Sequence, residues 1–307
     1  MEKNHLLELH KLIRKHKLYD NLFAIFGLIA LFSALFILFV LILDLVNTGY
    51  PRISQTFLTN FPSRFPEKAG VLSAGVGSIL VMLVTAFIAI PIGVAAGVYL
   101  EEYARKNWFT ALIEINITNL AGVPSIVFGL MALGVFVYKF GLGSSILTAG
   151  LTLSLLILPI IITATREAIR TIPGHIREAS MAVGATKWQT VKHHVLPYSM
   201  GGILTGIVIA LSRAIGETAP LITIGALTFI AFLPHPPFIP EAPYISFQWT
   251  MDAFTVLPIQ MFNWISRPQK EFHVNAAAAG LILLSLTLAM NAIAIFIRYH
   301  FRKRIKW

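Results

Sequence analysis

Apolar residues run on along most of this chain, without the alternation of a half-buried strand or the polar face of a soluble helix. A helix needs roughly 20 apolar residues to cross a bilayer core. Six runs approach or exceed that length, at 22–43, 71–100, 120–137, 145–163, 203–233 and 276–297. The pattern predicts an all-α membrane bundle of six transmembrane helices. Pro91 and Pro159 fall inside the second and fourth runs. Proline is tolerated there when neighbouring helices satisfy the carbonyl it frees, so both predict kinks inside a bundle. Gly93 and Gly97 have the spacing that lets two helices approach closely. The same pair can also merely loosen its own helix.

The polar breaks give a direction. With the amino terminus inside, segments 1–21, 101–119, 164–202 and 298–307 face the cytoplasm and hold seventeen of the 24 Lys and Arg. Segments 44–70, 138–144 and 234–275 hold six, and Arg213 lies within the fifth run. This bias places both termini in the cytoplasm. The first run follows a basic stretch, as in a signal peptide. It is too long for a signal core, and no small-residue cleavage site follows, so it reads as an uncleaved first membrane helix. The chain divides into an N-terminal segment with the first helix and outer loop (1–70), a core (71–297) and a basic tail (298–307). The outer loop 234–275 opens with PHPPFIPEAP, which cannot be helical. The aromatic stretch after it predicts a helix at the head-group interface, with Trp249, Phe254, Phe262 and Trp264 as anchors. A docking surface for an external partner is compatible with that reading.

Composition agrees with the pattern. Of 307 residues, 56% are hydrophobic and 12% charged, with a mean hydropathy of +0.76. A soluble domain carries about 25% charged residues. The net charge of +10 would suggest nucleic acid in a soluble protein. Here the charges lie at the ends of apolar runs, where lipid head groups favour them, and no nucleic-acid partner is predicted. There are no cysteines and no clustered histidines, so no metal site, catalytic site or cofactor is expected.

Two stretches carry candidate chemistry. In IALSRAIGETAPLITIG, Arg213 and Glu217 are four residues apart and share a helix face. Charges inside a membrane helix usually face the bundle interior or a wet cavity. If the fifth helix starts near Ile203, Arg213 lies roughly 15 Å along it. Gly216 and Pro220 predict an irregularity there. The pair reads either as an ion pair locking helices or as part of a solute path, in which an arginine fork suits an oxyanion. The second stretch, Arg177 to Pro197, predicts a short helix, a turn at Gly184, and a second helix over 187–195. Trp188, Val191 and Val195 share one face of that second helix, and Pro197 opens the next helix. No nucleotide-binding motif occurs in the chain, so such an element can receive work from a partner.

Glu178, Ala179 and Gly184, then nine residues and a position before x-Leu196-Pro197, resemble the cytoplasmic coupling loop (about 175–197) of ABC importer permeases. His194 stands where that pattern has a hydrophobic residue. GVYLEEYA, NLAGVPSIVFGL, LSRAIGETAPL and FTVLPIQMFNWISRP extend the likeness over most of 71–297. Together they resemble the A-type permeases of phosphate ABC transporters. The resemblance implies a type I importer bundle in a bacterial or archaeal plasma membrane. It implies Arg213 and Glu217 on a path for inorganic phosphate. It also implies coupling to an ATPase through Arg177, Glu178, Ala179, Gly184, Leu196 and Pro197. The implied partners are a C-type sister permease, two ATPase subunits, an extracytoplasmic phosphate-binding protein and membrane lipid. Other readings stay open: another oxyanion, the sister permease itself, a proton-driven carrier using Glu217, or a membrane scaffold.

Overall fold

A computed structural model describes residues 2–238, 244 and 246–303. In chain order the helices are α1 (Glu2–Gly49), α2 (Gln55–Thr59), α3 (Leu72–Val98), α4 (Trp108–Leu120), α5 (Ser125–Ala132) and α6 (Ile146–Arg170). They continue as α7 (Gly174–Ala182), α8 (Lys187–Thr190), α9 (Leu196–Ile215), α10 (Ala219–Thr223), α11 (Leu257–Ile265) and α12 (Lys270–Lys303). Wide π-type turns extend α3 to Tyr103 and α5 to Lys139, and join α8 to α9 across Val191–Val195. Five helical stretches are long and apolar enough to cross a membrane, or six if the bent pair 108–120 and 125–139 forms one span.

Small residues set the packing. Gly93 lies against Ile161 and Gly97 against Thr165, so close that a Cβ would stand 2.7 and 2.6 Å from those side chains. The close-approach reading of this pair therefore holds, and α3 runs parallel to α6. Gly202 meets Ala168, with a built Cβ 2.6 Å away, and Gly206 meets Ala164, so α9 runs antiparallel to α6. Ser212 Oγ donates to Asn291 Oδ1 at 2.6 Å and Arg298 donates to Thr205 Oγ1 at 2.8 Å, which fixes α12 antiparallel to α9. Gly49 rests on Ala277, and Gly280 faces Leu45, so α1 is antiparallel to α12. Helix α1 therefore starts and α12 finishes at one end of the bundle, called lower here, together with residues 99–107 and 171–195. Both α3 and α6 continue through their prolines. Leu153, Ile157, Ile161, Ile203 and Ala210 form the centre of the core.

Four expectations change. The third run is not one straight helix over 120–137. Gly122 to Pro124 breaks it, and α4 and α5 meet at 107°. The fifth run is not one helix over 203–233. Pro220 has no N–H for the Gly216 carbonyl, and its ring would clash with it. The helix stops at Ile215, and Leu221, Ile224 and Ile230 are buried beyond the break. Hydropathy alone does not register such a break. Residues 234–238 are non-helical as expected, while 239–243 of the proline-rich stretch lie outside the described residues. In the basic tail, helix α12 continues to Lys303, and residues 304–307 also lie outside them.

The third change concerns the aromatic stretch of 249–264, whose expected anchors mostly do not reach the surface. Trp249, Phe254 and Trp264 are buried, and only Phe262 is exposed. The segment re-enters the bundle. The Leu257 N–H donates to Ser78 Oγ at 2.9 Å, and the Leu227 N–H donates to the Phe254 carbonyl at 3.0 Å. Gly77 admits the Thr255 carbonyl where a side chain would collide with it. A Gly77→Val variant should displace this segment and cost about 1–3 kcal/mol through overpacking. Because the chain has no cysteine, a single cysteine at buried position 255 reports it. Maleimide should label that thiol faster in the Gly77→Val background, and equal labelling would refute the re-entrant packing.

The fourth change lies between Lys187 and Ile215, where one continuous helix takes the place of two. Pro197 cannot donate to the His193 carbonyl. The wide turn accommodates it, with the Leu196 N–H bonding back to the Val191 carbonyl. Pro197 therefore sits inside a continuous rod. Val191 and Val195 are buried as their shared face requires, but Trp188 points outward at 59% exposure.

Candidate solute path and coupling surface

The break after α9 positions the charged pair. Arg213 occupies the last turn of α9, where a cation interacts favourably with the helix dipole. The Gly216 N–H closes back on the Arg213 carbonyl at 3.3 Å, and the chain turns into α10. Arg213 Nε donates to Glu217 Oε1 at 3.4 Å. The register of Gly202 on Ala168 and Gly206 on Ala164 sets Arg213 level with Ile157. That is near the middle of α6, roughly 16 Å from its upper end. Counted along its own continuous helix from Lys187, Arg213 is roughly 39 Å on. The expected start near Ile203 therefore misplaces the helix origin.

The pair is asymmetric. The Arg213 side chain is 43% exposed and that of Glu217 17%. Arg213 thus lies partly open at the surface of this chain's bundle. A long, half-exposed ion pair contributes little stability, typically below about 1 kcal/mol. Arg213 can therefore give its fork to an oxyanion without the fold depending on Glu217.

The lower end carries the second group. Glu178, Ala179 and Gly184 are exposed, Leu196 and Pro197 half-buried. Gly184 turns the chain at φ +90°, a conformation that costs other residues strain. Thr186 and Gln189 form a capping box that starts α8. Met181, Val183 and Trp188 add exposed apolar surface around them. His194 and His193 line an open cleft of about 350 Å³ with Ser180, Val183 and Gln189. His194, the departure from the family pattern, thus sits in an open cleft of mixed lining beside the turn.

Arg177 faces the interior. Its Nε and Nη2 donate to Glu102 Oε1 at 2.9 and 2.7 Å. Its remaining donors reach the Ile172 and Ile169 carbonyls at 2.8 and 3.2 Å. The neighbouring Glu101 accepts from Arg166 at 3.4 Å and Arg170 at 2.9 Å, and Arg166 also meets Glu114 of α4 at 2.6 Å. Sequence reasoning missed these glutamates as partners, although adjacent acids ending an apolar run opposite Arg166, Arg170 and Arg177 were a usable signal.

A family model described as "Binding-protein-dependent transport system inner membrane component" matches residues 89–307. The phosphate transport system permease protein PstA of Haemophilus influenzae is 32% identical over 290 residues, covering 94% of this chain and 95% of its own. The PstA protein of Yersinia pestis is 33% identical, with 85% of each chain covered. A probable ABC transporter permease of Bacillus subtilis is 31% identical over 87% of this chain and 91% of its own. Among solved structures, an inward-facing MetNI methionine ABC transporter chain shares the fold, with TM-score 0.57 at 18% identity. That match covers 75% of this chain and 96% of the other.

Proposed function

Because this chain belongs to the inner-membrane components of binding-protein-dependent transport systems, we propose that it is the A-type permease subunit of an ATP-driven importer of inorganic phosphate. It forms half of the path, and a sister permease covers the open side of Arg213. Two ATPase subunits dock on the exposed Glu178, Ala179 and Gly184 surface. A phosphate-binding protein docks on the opposite face, over the outer loops. The observation that carries the reading is the half-exposed Arg213 at a helix break, level with the middle of α6.

The geometry supports the following cycle. A dianionic oxyanion leaving its binding protein meets a guanidinium whose planar fork matches it. Glu217 holds that fork when the solute is absent and competes with it, so the anion is held weakly enough to leave. Closure of the ATPases displaces the coupling loop. Residues 187–215 are one helix, so the displacement reaches Arg213 through continuous backbone. The ATPases bias the two states only through their differential affinity for them. The chain performs no covalent step. The PstA names of its relatives support phosphate over other oxyanions.

Complementation tests the reading. A bacterial strain lacking its own A-type phosphate permease, but keeping the other subunits, should regain labelled-phosphate uptake when it expresses this chain. Restored uptake of sulfate or molybdate alone would overturn the phosphate assignment.

A further inference from the structure

We infer that Glu102, at the lower end of α3, is a positioning residue that makes the first half of the coupling loop drive α3 and α6. This inference rests on the importer reading above. The loop has two halves with different attachments. Its second half, α8, continues directly into α9. Its first half, α7, has no such continuity with α3, and Thr171 to Pro173 interrupt its connection to α6. The Arg177 guanidinium bridges that gap. It binds the Glu102 carboxylate, the Ile169 carbonyl in the last turn of α6 and the Ile172 carbonyl in the connector, so one side chain on α7 ties α3 and α6 together.

The environment makes the tie strong. The Glu102 side chain is only 8% exposed and that of Arg177 22%. A charge-assisted pair withdrawn from water keeps its geometry, and removing one partner leaves the other charge stranded. Ser180 and Thr190 hydroxyls, 2.9 Å apart and buried, join the two halves of the loop. A push on the loop therefore moves α9 through its backbone and α3 with α6 through Glu102. Glu101 extends the same relay to α4 through Arg166 and Glu114. A cavity of about 610 Å³ lies beside these groups, between α4 and the ends of α3 and α6, leaving α4 room to shift.

The test uses the complete importer, reconstituted with its ATPases, sister permease and binding protein. Glu102→Gln should leave ATP hydrolysis near the wild-type rate and lower phosphate transported per ATP by about tenfold, the equivalent of 1.4 kcal/mol. Combining Glu102→Arg with Arg177→Glu should restore much of that ratio. In parallel, single cysteines at the exposed positions 99 and 175 carry spin labels, and their separation is measured with and without ATP. Wild type should keep one narrow distance in both states, and Glu102→Gln should broaden it. An unchanged transport ratio, or hydrolysis falling in step with transport, would overturn the inference. An unchanged distance distribution would do the same. A wild-type complex that hydrolyses ATP but moves no phosphate would overturn the importer reading, while the distance arm would still decide the clasp.

Discussion

Replacing Arg213 with Gln should abolish phosphate uptake while the complex still assembles. Glutamine keeps a hydrogen-bond donor but loses the charge and the planar fork. A hydrogen bond to a charged group is worth about 1.5–3 kcal/mol, so transport should fall by roughly ten- to a hundredfold or more at a site dominated by that contact. The fold should survive. Arg213 is 43% exposed and its bond to Glu217 is 3.4 Å long, so little native stability is lost. Size-exclusion chromatography of the variant complex and its uptake rate give both readouts. Loss of assembly would instead identify the pair as a lock between helices.

Glu178→Ala should uncouple the importer, and its logic is different. Glu178 is exposed on α7 and makes no ion pair among the described residues. Alanine is at least as good a helix former, so the substitution removes nothing that holds this chain together. Any defect must come from a missing partner contact. Hot-spot residues of an interface cost about 2 kcal/mol or more when truncated, so a hot-spot role for Glu178 predicts about a thirtyfold weaker productive contact. ATP-driven uptake should fall while the binding protein keeps its affinity for the outer face. Uptake at the wild-type rate would remove Glu178 from the coupling surface. Together with Glu102→Gln, this variant separates the outer side of the loop from its inner clasp.

Much of this architecture was legible in the sequence because lipid leaves few choices. Apolar length predicts spans at 22–43, 71–100, 145–163 and 276–297, and helices occupy all four. The spacing of Gly93 and Gly97 predicts a close approach, and Ile161 and Thr165 fill it. What hydropathy could not read was the direction of the backbone within an apolar run. Pro220 ends α9 although the apolar run continues to Leu233. Trp249, Phe254 and Trp264 have an interfacial composition but are buried, because Gly77 and Ser78 offer a carbonyl slot and a hydrogen-bond acceptor on a distant helix. Such pairings depend on residues about 180 positions apart, beyond any local pattern.

At the site, Arg213 and Glu217 meet, but not on one helix face as the four-residue spacing predicts: α9 ends at Ile215, and Glu217 lies in the break beyond Gly216. Their half-open setting was not legible, since exposure follows from where neighbouring helices stop. Arg177 was legible as part of the polar 177–197 stretch between two apolar runs. Its direction was not, because Glu102 lies 75 positions earlier. His194 occupies the place of a hydrophobic residue and still fits, since its position lines an open cleft rather than the core.

The central claim is that this chain carries phosphate across a membrane using ATP hydrolysed by its partners. Proteoliposomes holding this chain, a sister permease, the ATPase pair and the binding protein test it directly, with labelled phosphate supplied on the binding-protein side and ATP on the ATPase side. Accumulation should require ATP, should persist when the proton gradient is collapsed, and should vanish with Arg213→Gln. Accumulation that proceeds without ATP and follows an imposed proton gradient would contradict the account.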